Sequence, residues 1–140
     1  MKINLPVTQH ELAYRDSAII ISKTDRKGVV TEINPDFLEI SGFSKEELLG
    51  KSHNIVRHPD MPPAAFEDLW KTVQQGKLWN GIVKNRSKNG DHYWVEANVT
   101  PILKNGEITG YVSVRTKPAR QQVEQAQQLY TDMNAGKKHR

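Results

Sequence analysis

Two copies of the tripeptide Lys-Asn-Gly, at residues 88–90 and 104–106, divide the later part of this 140-residue chain into three runs rich in branched and aromatic residues. Asn-Gly suits the left-handed backbone of a tight hairpin turn, so its position between such runs predicts that they pair antiparallel. The runs are LWNGIVKNRS, DHYWVEANVTPIL and EITGYVSVRT.

Upstream, residues 18–34 (AIIISKTDRKGVVTEIN) predict another hairpin, two short strands around the turn DRKG. Asn34 then reads as a helix N-cap before Pro35, with Gly42 closing the turn. Ser44 and Glu47 form a capping box, and Gly50 stops that second short helix. From Pro63, the spacing of Phe66, Leu69, Trp70 and Val73 predicts a longer helix ending at Gly76. Val123, Ala126, Tyr130 and Met133 recur three and four residues apart in a final helical segment. That seam suits a helix docked on its own domain as well as a dimer or signalling helix.

The length fits one domain, expected to divide into an N-terminal cap segment (1–17), a body (18–117) and a flanking helix with a basic tail (118–140). Three of the four formal positive charges correspond to Lys137, Lys138 and Arg140, which leaves the body nearly neutral and without the basic stripe of a nucleic-acid module. The absence of cysteine excludes disulfides, thiolate metal sites and thiol nucleophiles. No run approaches the length of a signal peptide core or a membrane span, so a cytoplasmic location is expected, with any membrane association through a receptor region outside this chain.

The order strand, strand, short helices, longer helix, three antiparallel strands resembles the PAS fold. The strings HNIVRHPDMP, GIVKNRSKNGDHYWVEAN and GYVSVRT more specifically resemble the flavin-binding PAS domains at the N-terminus of bacterial aerotaxis receptors. The fold class expected is therefore α+β, a five-stranded antiparallel sheet with short helices and one longer helix on one face. The resemblance implies an FAD cofactor, sensing of redox state or oxygen, and a chemoreceptor signalling or HAMP-like region as partner. A homodimer is a further expectation. The LOV group of flavin-binding PAS domains uses a cysteine near the position of His53, and its thiol adduct is impossible here.

Regular alternation places Trp79, Gly81, Val83 and Asn85 on one sheet face with Tyr93, Val95, Ala97, Val99, Tyr111, Ser113 and Arg115. An apolar face with a few polar groups suits a cofactor cavity, and it equally suits a plain core. Against a flavin ring, Asn85 offers a donor and an acceptor, and Arg115 a fixed charge that favours an anionic form. The opposite face, with Lys84, Arg86, His92, Glu96 and Asn98, is expected to be solvated.

The loop SHNIVRHPDMPPAAF (52–66) supplies the remaining candidates. Arg57 and His58 suit phosphates or adenine, and Asp60 a ribose hydroxyl, with His53 and Asn54 beside them. The competing reading of His58 and Asp60 is a surface pair and a helix cap. Phe66 and Trp70 serve as core on one side and cavity wall on the other; Asn34 has a ligand role secondary to capping. A haem held by His53 or His58, another small ligand, or a cofactor-free interaction module are the alternatives. No GxSxG, P-loop, GxGxxG or HExxH motif is present, and a non-enzymatic role is expected.

Overall fold

A computed structural model describes residues 6–136; the basic tail beyond Gly136 lies outside the described residues. Its sheet has five antiparallel strands, β1 (Ile19–Asp25), β2 (Val30–Ile33), β3 (Trp79–Arg86), β4 (His92–Lys104) and β5 (Glu107–Thr116), in the order β2-β1-β5-β4-β3. This is the expected α+β architecture. Between β2 and β3 lie α1 (Pro35–Ser41), α2 (Lys45–Leu48), a 3-10 turn (His53–Val56) and α3 (Pro63–Gln74), and the chain ends with α4 (Arg120–Asn134).

The local signals act as their chemistry dictates. At the second Lys-Asn-Gly, Asn105 (φ 52°) and Gly106 (φ 80°) form a two-residue hairpin that pairs Lys104 with Glu107. The first is a wider connection, because Ser87 N–H donates to the Asp91 carbonyl at 2.8 Å while Asn89 Oδ1 accepts from the Ser87 hydroxyl and from Asp91 N–H. Asn34 Oδ1 caps α1 by accepting from Phe37 N–H, accepts also from Ile21 N–H at 3.0 Å, and its amide donates to the Ile19 carbonyl at 2.7 Å. One side chain thus fastens α1 to β1. Ser44 and Glu47 complete their capping box.

Phe37, Leu48, Val73, Tyr93 and Val95 form the centre of the core between the helices and the inner sheet face. The outer face is only partly solvated, contrary to expectation. Val123 and Ala126 of α4 bury against Trp94 and Ile82 there, and the Tyr130 hydroxyl donates to the Ile82 carbonyl at 2.6 Å. On the same face Arg86, over the Phe43 ring, is 6% exposed, and Lys84 and His92, beside Asp60 and Glu11, keep little surface. An apolar seam needs an apolar partner, and β3 and β4 supply it within the chain. Among the described residues no helix is long and apolar enough to cross a membrane.

The segment from Gly50 to Met61 links both edges of the sheet. At β2, Val30 N–H donates to the Lys51 carbonyl and Gly50 N–H to the Val30 carbonyl, with His53 N–H on the Gly28 carbonyl just beyond. At β3, Arg57 forms an antiparallel bridge with Asn85, and Lys84 N–H points to Met61 Sδ at 3.4 Å. Between those edges the segment crosses the inner face as a strap.

Candidate functional site

A cavity with an empty volume of about 710 Å³, open mouth included, lies between the strap, α3 and the inner sheet face. Its floor comes from alternate strand positions: Ser22 and Thr24 of β1, Val83 and Asn85 of β3, Ala97 and Val99 of β4, Tyr111, Ser113 and Arg115 of β5. The strap contributes His53, Asn54, Val56 and Arg57, and α3 contributes Phe66, Leu69 and Trp70. Apolar walls with few polar groups are those of a small-molecule site. Trp70 meets Tyr111 edge to face at 5.3 Å, and Arg57 lies over the Phe66 ring at 4.1 Å.

The basic lining groups are Arg57, Arg115 and His53, beside the Tyr111 phenol, and among the described residues no carboxylate joins them. Arg115 is 2% exposed. It donates to Ser22 Oγ at 2.7 Å, contacts His53 Nε2 at 3.0 Å and stacks on Phe37 at 4.7 Å. Its Nε, also buried, has no partner among the described residues. Burial lowers the guanidinium to about 10, so it stays charged near neutrality. The same burial, reinforced by the Arg115 cation, lowers the His53 imidazole to about 3, which keeps it neutral. Tyr93 lies behind Asn85, its cross-strand partner, and burial raises its phenol to about 12, so it remains protonated.

Of the sequence candidates, His53, Asn54, Arg57, Phe66, Trp70, Asn85, Ser113 and Arg115 are brought together on the lining, whereas Asn34, His58, Asp60, Trp79 and Tyr93 are not. Asn34 is committed to α1 and β1. His58 is 3% exposed and turned past the β3 edge, where its ring meets His92 at 6.1 Å and its Nδ1 accepts from Asp60 N–H at 3.0 Å. Asp60 does not cap α3; its carboxylate pairs with Lys84 at 2.8 Å, and its carbonyl accepts from Asn134 of α4 at 2.6 Å. Trp79 donates to Asp68 on α3 and folds over Gly81, where a Cβ would stand 2.3 Å from the indole. Ser22, Thr24 and Val56 were not singled out from sequence, and Leu69 only as part of the helical spacing of α3. The phase of β1, with Ile20 inward, carried the signal for Ser22 and Thr24, but an isolated hydroxyl in an isoleucine run draws no attention.

With this geometry in place, comparison with known proteins is informative. A family profile described as PAS fold matches residues 30–115. The chain is 47% identical over 94% of its length to the aerotaxis receptor of Escherichia coli (strain K12), of which it covers 26%. It is 28% identical over 71% of its length to the nitrogen fixation regulatory protein of Klebsiella pneumoniae, covering 20% of that protein. Among solved structures, the dark-state LOV structure of the blue-light photoreceptor Aureochrome1 superposes with a TM-score of 0.67 at 20% identity, over 83% of this chain and 84% of that one. The chain thus spans about a quarter or less of these curated relatives.

Proposed function

This chain belongs to the PAS family, and from that premise we propose that it is a sensor domain whose cavity binds a flavin, specifically FAD. We read it as a redox or oxygen sensor that signals to a chemoreceptor output region and not as a catalyst. The observation that carries this reading is the cavity's charge pattern: a buried guanidinium with an unpartnered Nε, among flat apolar walls, with no carboxylate to neutralise it. A planar ring with a polar, electron-rich edge fits that arrangement, and Asn85 adds a donor and an acceptor beside it. Similarity to an aerotaxis receptor, over nearly the whole chain, supports the sensory role.

In this reading the bound flavin supplies reversible electron uptake. Trp70, Tyr111 and Leu69 would hold the ring and limit water, Arg115 would offer it positive charge, and Arg57 would suit a diphosphate. Asp60 ties the strap to α4 on the far side of β3, and His58 braces Asp60 there. The Arg57–Asn85 bridge joins the cavity to that edge, and Asp60 and Ile82 carry on to α4 through Asn134 and Tyr130. A signal requires these contacts to differ between two states of the ligand.

A haem is disfavoured by the same geometry, because His53 Nε2 already faces Ser22 and Arg115 and His58 lies outside the lining. The test is the visible spectrum of the purified chain, with chromatography of what heat releases. A yellow protein that yields FAD is expected. A Soret band, or a colourless chain that takes up no added FAD, would overturn the reading.

A further inference from the structure

Ser22 sits in β1 between Ile33 of β2 and Ser113 of β5, 1% exposed and turned into the cavity. Arg115 lies on the diagonal from it across the β1–β5 pair, near enough for its Nη2 to donate to Ser22 Oγ at 2.7 Å. Ala97 is the cross-strand partner of Arg115 on the other side, and its small side chain leaves the guanidinium room to reach sideways. The same Ser22 oxygen is 2.9 Å from His53 Nε2, and Arg115 Nη1 is 3.0 Å from that nitrogen. The three groups close a ring.

Guanidinium has donors only, which decides the hydrogens in this ring. His53 Nε2 has to be the bare acceptor, and its proton therefore belongs on Nδ1. Ser22, whose oxygen accepts from Arg115, turns its own hydrogen toward Nε2. Phe37 stands behind both partners, 4.7 Å from the guanidinium carbon and 6.0 Å from the imidazole centroid, and offers no competing acceptor.

We propose that Ser22 is the positioning residue of the cavity, its hydroxyl holding the Arg115 guanidinium beside His53 and thereby fixing His53 in the neutral form protonated on Nδ1. The groups facing His53 are Arg115 from β5, Ser22 from β1 and Phe37 from α1, with Arg57 the other cation of the lining and no carboxylate present to recruit a second proton. Burial and the Arg115 charge act in the same direction. The cavity then carries one fixed cation and one neutral imidazole, whatever the pH of the surroundings near neutrality. This deepens the flavin reading and rests on it for its consequence: a ligand that gains negative charge there is met by Arg115 without proton uptake at His53.

The experiment is NMR of the purified chain with 15N-labelled histidine, titrated from about pH 8 to about pH 4, without flavin and again with added FAD. Wild type is expected to show a bare His53 Nε2 throughout. In Ser22→Ala the guanidinium loses one acceptor and leaves the imidazole, and the proton affinity of His53 is expected to rise at least about tenfold, toward its ordinary value. Ser22→Thr keeps the hydroxyl and is expected to restore the wild-type titration. A protonated Nε2 in wild type, or an Ser22→Ala titration identical to wild type, overturns the proposal. Should Ser22→Ala fail to fold, the wild-type tautomer and Ser22→Thr decide. A chain with the bare Nε2 that takes up no FAD upholds the ring and refutes the flavin reading; FAD uptake with Nε2 protonated does the reverse.

Discussion

Arg115 is a buried cation whose described partners are a hydroxyl, a neutral imidazole and an aromatic ring. Desolvation of a charge is only partly offset by such neutral partners, and an apolar side chain of similar length removes the penalty. Arg115→Met is therefore expected to leave the flavin-free protein at least as stable in urea, by about 0–4 kcal/mol, while weakening FAD binding. A loss of about 2 kcal/mol or more without flavin would make Arg115 a structural brace instead. The histidines give the acid side of the same physics. Burial lowers His58 from 6.5 to about 4, with the Lys84 charge adding to the effect and Asp60 opposing it; His53 falls to about 3. Between those values and 6.5 the unfolded chain binds more protons than the folded one, so both histidines contribute stability that is full above about 6.5 and is lost as pH falls toward 4 and then 3. The urea midpoint is expected to fall across that window, each histidine contributing up to about 1.4 kcal/mol per pH unit. His58→Gln should flatten the slope between 6.5 and 4, and an unchanged slope would place its origin elsewhere.

Elements hold each other here through a few side chains with more than one partner. Asn34 caps α1 and also bonds Ile19 and Ile21 of β1, so Asn34→Ala is expected to cost about 2–3 kcal/mol, above the ~1 kcal/mol of an ordinary cap. Chemical denaturation measures it, and a loss of only about 1 kcal/mol would mean that the β1 contacts contribute nothing. At α4, Ala126→Glu puts a charge into the contact with Trp94 and Ile82. Hydrogen exchange should then show protection lost over Arg120–Asn134 while β3–β5 keep theirs; loss throughout would show that the helix is integral to the core. Much of this arrangement was legible in sequence, because caps, turns and strand phase are local: Asn34, Ser44 with Glu47, and Asn105-Gly106 act through neighbours a few residues away. Strand phase also placed Asn85, Ser113 and Arg115 on one face. What stayed hidden was set by tertiary contact. His58 and Asp60 follow Arg57 in the strap, and whether a loop residue faces the cavity or turns past the β3 edge depends on a strand more than twenty residues later. Likewise, nothing local says that α4 covers Trp94 and Ile82 and not the surface of another chain.

For the whole molecule, ligand binding and folding are linked, since the cavity draws on β1, β3, β4, β5, α3 and the strap together. FAD at a hundred times its dissociation constant is expected to add about 2.7 kcal/mol to the unfolding free energy, read as a rise in thermal midpoint. No rise on adding FAD to the stripped protein would count against a flavin in this cavity. The chain corresponds to 26% of the related aerotaxis receptor. Sheet proteins held close together carry a hazard, because an unpaired border strand is a template on which a neighbouring copy can add its own. The strap occupies backbone groups of β2 on one side and meets β3 on the other, turning an open sheet into something nearer a closed loop of chain. Crowded copies of this domain are thereby steered away from templated polymerisation, and their encounters are left to side chains, whose contacts can form and dissolve without recruiting the backbone.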